Sequence, residues 1–346
     1  MNFRTWLSVF TLVVIAVIIY FSRHELYHAW VLLEKVNLWI LALLIPVQLF
    51  AYFAGGEMIF SYLRSKKAID AVSGLGLARM ALEMNFVNHV LPSGGVSGIS
   101  YMSWRLGKYG VTPGRATMAQ VVRFAAGFIS FIMLLIVAVF IVTVDNGINR
   151  WIILVSSLLI SGMLSVIVGG MYLFNSAKRT AGFASWITRT ANATVRRVTF
   201  GRKLIVLRND TVETFFSDMH HDYLALKHDK KLLLKPILWG LAFTAADVLL
   251  FWVTFWALGQ PVNPAPILIA YGVATIAGFF VITPGGAGAY EAIMVGFLAL
   301  AGLDQGTAIA GIVLTRVILL LGTIGLGYLF YQHALIKYGK PKRPTA

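Results

Sequence analysis

Four charged residues, Arg123, Asp247, Glu291 and Arg316, stand within or beside stretches that are otherwise apolar. A lone charge in hydrocarbon is costly, so such side chains pair with one another, face a polar interior, or mark the path of an ion or a charged headgroup. Two acids and two bases suggest pairing. Glu291 with Arg316 is the first expectation, because both belong to the second half of the chain. Arg123 with Asp247 is the pairing left over, with no spacing argument behind it. Glu57 and His89 are also ionisable, but they lie nearer the ends or interruptions of their segments.

Each arginine follows an interruption of the same kind. Residues 85–98 read NFVNHVLPSGGVSG and residues 283–291 read TPGGAGAYE. From Pro92 to Arg123 is 123 − 92 = 31 residues, and from Pro284 to Arg316 is 316 − 284 = 32. Helix-breaking residues at membrane depth are tolerated where the freed backbone is buried in protein or lines a polar cavity. The restarted half-helix offers unpaired amide N–H groups and the positive end of its dipole, and glycine lets a phosphate approach the backbone. The expected substrate-binding set is therefore Asn88, Pro92, Gly94 and Gly95 from the first interruption, Pro284, Gly285, Gly286, Gly288 and Glu291 from the second, and Arg123, Asp247 and Arg316 between them. The plainer alternatives are a kinked helix or tight turn for each interruption and an ion pair that only fixes helix packing.

The elements that must carry these residues are membrane helices. The 346 residues are 58% hydrophobic and 12% charged, with a mean hydropathy of +0.79, beyond what a soluble core requires. About 20 apolar residues cross a bilayer, and hydropathy predicts crossings near 4–22, 36–60, 116–144, 151–174, 236–258 and 307–330. The first resembles a signal peptide but lacks a small-residue cleavage site and is expected to be retained. Regions 75–106 and 267–301 hold the two interruptions and do not fit one unbroken helix. The fold class that follows is all-α: a polytopic helical bundle of about six full spans plus two re-entrant broken segments, arranged as an inverted repeat.

The basic residues orient it. Arg64, Lys66, Lys67 and Arg79, then Arg105, Lys108 and Arg115, then Lys337, Lys340, Lys342 and Arg343 occupy alternate connections, while DNGINR, QPVNPAP and GLDQG are nearly uncharged. Positive residues favour the cytoplasm. Both termini, the 175–235 loop and a basic tail at 336–346 are expected there, in the inner membrane, with residues 1–335 as one domain. Within the loop, Val212, Phe215, Phe216, Met219, Tyr223 and Leu226 recur at helical spacing and predict an amphipathic helix on the inner leaflet. Its His220, His221 and Asp222 could be imagined as a metal site, but neighbours on a helix diverge, and a solvated polar face is the expectation.

The net charge of +15 reads as cytoplasmic loops and contact with anionic headgroups rather than nucleic acid. The chain has no Cys, which excludes disulfides and thiolate chemistry. GxSxG and Walker patterns are absent, and the PGGAG glycines lack a βαβ context. No cofactor, metal or ordinary hydrolytic mechanism is expected.

NFVNHVLPSGGVSG ahead of a span with Arg123, then TPGGAGAYEA ahead of a span with Arg316, resembles the flippase-like transmembrane domain of lysylphosphatidylglycerol synthases, the multiple peptide resistance factors, over about residues 4–335. The resemblance implies a helical bundle with two re-entrant segments that moves lipids between leaflets. In the two-domain synthases a separate cytosolic domain attaches the amino acid; residues 336–346 leave no room for it here, so translocation is carried over and synthesis is not. The expected function is a lipid translocator for a phospholipid or glycolipid headgroup. A membrane enzyme modifying a headgroup, and a scaffold for a separate synthase or glycosyltransferase, are the alternatives. A homodimer or a separate lipid-modifying enzyme would be compatible partners.

Overall fold

The computed structural model describes residues 20, 31, 34, 36–70, 72–90, 96–146, 150–198, 208–260, 262–278 and 288–339. They form helices α1 (Leu38–Ser65, with a short break after its first turn), α2 (Gly74–Val90), α3 (Val96–Gly107), α4 (Pro113–Asn146), α5 (Arg150–Phe174), α6 (Ala177–Val198), α7 (Asn209–His228), α8 (Leu234–Ala257), α9 (Pro264–Gly278), α10 (Ala289–Leu300) and α11 (Gln305–Tyr338). Among the described residues there are no strands.

Local chemistry sets the boundaries. Proline opens α4 and α9, where its missing N–H is no loss. Asn37 caps α1 by accepting from Trp39 N and Ile40 N, and Asp304 caps α11 by accepting from Thr307 N at 2.9 Å. Gly259 and Gly302, at φ 75° and 95°, turn the chain out of α8 and α10 in a conformation that other residues resist.

Five segments, α1, α4, α5, α8 and α11, are long and apolar enough to cross a bilayer, and they coincide with five of the six expected crossings. The expected crossing at 4–22 lies outside the described residues. Large apolar side chains on their outer faces are exposed, among them Phe140 at 69% and Leu158 at 65%. In water such a surface would be a liability; against lipid tails it is the natural boundary. The helices α3 and α10 have 12 residues each, about 18 Å at 1.5 Å per residue, too short for a core of about 30 Å.

The short helices form hairpins. In the first, Glu83 meets Arg105, Val87 O accepts from Ser97 Oγ at 3.3 Å, and Asn88 Oδ1 accepts from Gly98 N at 2.9 Å. This register makes α2 and α3 antiparallel, so the segment enters and leaves by one face. At that face gather Arg115 with Asp222, Tyr109 with Tyr338, and His220 with Phe174. The opposite end holds the Asn37 N to Ala257 O contact, which ties α1 to α8. The second hairpin, α9 and α10, hangs from that opposite end, between α8 and α11.

The same pairs of the eight inner helices touch when the two halves are exchanged, although some of the paired contacts differ in extent. With α1–α4 mapped on α8–α11, α2 against α11 corresponds to α9 against α4, and α1 against α11 to α8 against α4. The pairs α1 with α2, α1 with α4, α2 with α3 and α3 with α4 have counterparts too, and α1 against α8 maps on itself. The expected inverted repeat is thus present in the contacts, although residue similarity between the halves is slight. Small residues allow the close approaches: a Cβ on Gly327 would stand 2.4 Å from Phe86 Cβ, and one on Gly272 would stand 2.2 Å from the Phe131 ring.

Two expectations for the loop need correction. The apolar face of α7 does not lie on the leaflet: Met219 and Tyr223 are buried, and Phe215, Phe216 and Leu226 pack against the same core as the ends of α1 and α4. The polar triplet is not a solvated face either. His220 is buried with Nδ1 2.7 Å from Phe174 O, where it covers an end carbonyl of α5, and Asp222 is buried toward Arg115 at 3.6 Å; His221 alone is exposed. Helix geometry separates the three, because α7 is sandwiched between α6 and α4.

Candidate functional site

Glu291 and Arg316 form the expected pair. Arg316 Nε donates to Glu291 Oε1 at 2.7 Å, and Glu291 Oε2 accepts from Gly288 N at 2.7 Å. Glu291 is the third residue of α10, so one carboxylate closes the helix start and neutralises the arginine of α11. Gly288 sits at φ 88°, a conformation that favours glycine. The Arg316 guanidinium also lies 4.4 Å over the Tyr290 ring.

Arg123 and Asp247 are not in contact. Asp247 Oδ2 accepts from Tyr271 OH at 2.5 Å, and Arg123 Nη1 lies 3.7 Å from Met84 Sδ. The leftover pairing is therefore not formed: a phenol from α9 takes Asp247, and Arg123 shares a cavity lining with that phenol. Arg123, Thr244, Tyr271 and Thr275 line a cavity of about 220 Å³ whose other walls include Met58 and Phe128. It is large enough for a small anionic group, and it presents one cation and three hydroxyls among apolar walls.

Hydroxyls stand beside each arginine: Tyr271 and Thr275 line the Arg123 cavity, and Tyr290 lies under the Arg316 guanidinium. Along the first hairpin, Met84 reaches Arg123, while His89 Nδ1 is 2.8 Å from Asn85 O. Elements of both halves thus converge on one polar seam inside the bundle.

The remaining expected residues divide. The Asn88 side-chain oxygen is committed to Gly98 N, so it braces the first hairpin. Pro92, Gly94, Gly95, Pro284, Gly285 and Gly286, with the amides expected to meet a phosphate, lie outside the described residues.

Sequence reasoning missed Tyr271, Thr275 and Tyr290, because hydroxyls inside apolar helices barely alter hydropathy. It also missed Glu83, fully buried and held by Arg105 Nε at 3.0 Å, Tyr101 OH at 2.8 Å and Arg79 Nε at 3.4 Å. The available signal was an acid four residues after Arg79 within a largely apolar stretch. Glu57 is buried too and pairs with Arg64.

A family model described as Lysylphosphatidylglycerol synthase TM region matches residues 7–327, nearly the whole chain, and the chain belongs to that family. A "UPF0104 membrane protein" of Methanothermobacter thermautotrophicus is 24% identical over 235 residues, covering 67% of each chain. No solved structure matches.

Proposed function

We propose that this member of the lysylphosphatidylglycerol synthase transmembrane-region family is a lipid translocator. In this reading a headgroup passes through the seam between the two halves while its acyl chains stay in the bilayer. The observation that carries the reading is the placement of one arginine per half inside the bundle, Arg123 in a cavity lined by Tyr271 and Thr275, and Arg316 against Glu291 and the Tyr290 ring. A phosphate crossing bare hydrocarbon loses its hydration with nothing in return. Arginine and hydroxyl donors replace that hydration, and the Arg123 cavity supplies the space. By the positive-inside rule, the end that carries Arg64, Arg79, Arg105 and Lys337 faces the cytoplasm.

The test is purified protein in vesicles with a panel of fluorescent lipids. Translocation of chemically unchanged lipid is expected, and Arg123→Gln should slow it about 10- to 100-fold, the worth of one charge-assisted hydrogen bond. Transport unaltered in both Arg123→Gln and Arg316→Gln would remove the seam from the mechanism. A new headgroup species would instead mark an enzyme, and neither activity would leave the scaffold.

A further inference from the structure

With the apolar face of α7 covered by protein, α6 is the loop helix whose charged and aromatic face is left exposed. Residues 177–198 carry Lys178, Arg179, Arg189, Arg196 and Arg197 and no acid. Thr180, Ala184 and Thr188, spaced by four, are buried against α7. The charges and Trp186, 57% exposed and stacked on Phe183, point away from that contact. Position along the membrane normal is set by α5. Helix α6 begins three residues after Phe174, and Arg179 lies 3.8 Å over the ring of Tyr172, an exposed residue in the last turn of the lipid-facing α5. An arginine on an interfacial tyrosine belongs at headgroup depth. On a neighbouring face Ser185, Thr188, Arg189, Asn192 and Arg196, with Asn209 at the start of α7, line a crevice of about 540 Å³. Two guanidinium groups and short polar side chains are donors suited to phosphate.

We propose that α6 is an interfacial helix that binds anionic lipid headgroups of the leaflet at the basic end, seating a phosphate in the Arg189–Arg196 crevice. Its occupant is lipid rather than soluble phosphate because the same helix presents Trp186 and the Arg179–Tyr172 stack to the bilayer. The inference stands independently of whether the seam transports anything.

The chain has no Cys, so Thr190→Cys can carry an environment-sensitive dye on the full-length protein in nanodiscs. Raising phosphatidylglycerol in a phosphatidylcholine background should give a saturable blue shift. Losing Arg189 and Arg196 to Gln should raise the lipid fraction required about fivefold per arginine. Arg189→Lys and Arg196→Lys should keep most of the response, which separates lost charge from a folding defect. Inorganic phosphate should neither reproduce nor abolish it. An equal shift in pure phosphatidylcholine, or one indifferent to both Gln substitutions, overturns the proposal. A response produced by inorganic phosphate alone reassigns the crevice to a soluble ligand and overturns it as well.

Discussion

Arg316 Nε and Glu291 Oε1 stand 2.7 Å apart, while the other oxygen of the same carboxylate holds Gly288 N at 2.7 Å. Glu291 thus couples the start of α10 to the middle of α11. Glu291→Gln and Arg316→Gln should each lower stability, and a double-mutant cycle should return a coupling of about 1–3 kcal/mol. Thermal unfolding in detergent measures it, at about 1–2 °C per kcal/mol for a chain of this size. Additive losses would mean that the pair is not a unit.

Glu83 anchors the first hairpin through Arg105, Tyr101 and Arg79. Glu83→Ala leaves Arg105, 3% exposed, without its counter-charge, and the expected cost is about 3–5 kcal/mol. The double change Glu83→Met with Arg105→Leu removes both charges and should recover much of that loss. Stability of the single variant equal to the parent would contradict this packing of α2 on α3.

Asp222 gives a pH dependence with a definite sign. Burial raises its carboxyl above the ordinary carboxylate range, opposed by the attraction of Arg115 and Lys66. A folded-state pKa above the unfolded one means that the native protein holds this proton more tightly. Its contribution to stability is therefore least when Asp222 is ionised and improves as pH falls through its raised pKa. Asp222→Asn should equal or exceed the parent in Tm at neutral pH, with the advantage shrinking in mildly acidic buffer. Arg115, 42% exposed, stays solvated in the variant. A variant less stable than the parent at neutral pH would show that the Arg115 attraction outweighs burial.

Sidedness can be read with single cysteines at Ser217, on α7, and Gln260, beyond α8, in a chain that has none of its own. An impermeant thiol reagent outside intact cells should label Gln260→Cys and spare Ser217→Cys until the membrane is opened. The reverse pattern would invert the orientation.

The sequence by itself determined the membrane bundle, five of the spans and the Glu291–Arg316 pair. These follow from terms that are local or nearly so: hydropathy over about 20 residues, proline and glycine at the ends of elements, and the cost of an unpaired charge in hydrocarbon. The tertiary structure alone decided which hydroxyls stand beside the arginines, because Tyr271 and Thr275 reach the Arg123 cavity, and Tyr290 the Arg316 guanidinium, only when α9 and α10 fold against α4 and α11. It also decided that the apolar face of α7 is covered by protein. A helical apolar stripe such as Phe215, Met219 and Tyr223 is equally suited to a leaflet or to protein, and the close contact of the Gly114 surface of α4 with Asp218 and Phe215 of α7 shows that protein covers it. Hydrophobic burial is non-directional, so the pattern names the face and only the fold names its partner.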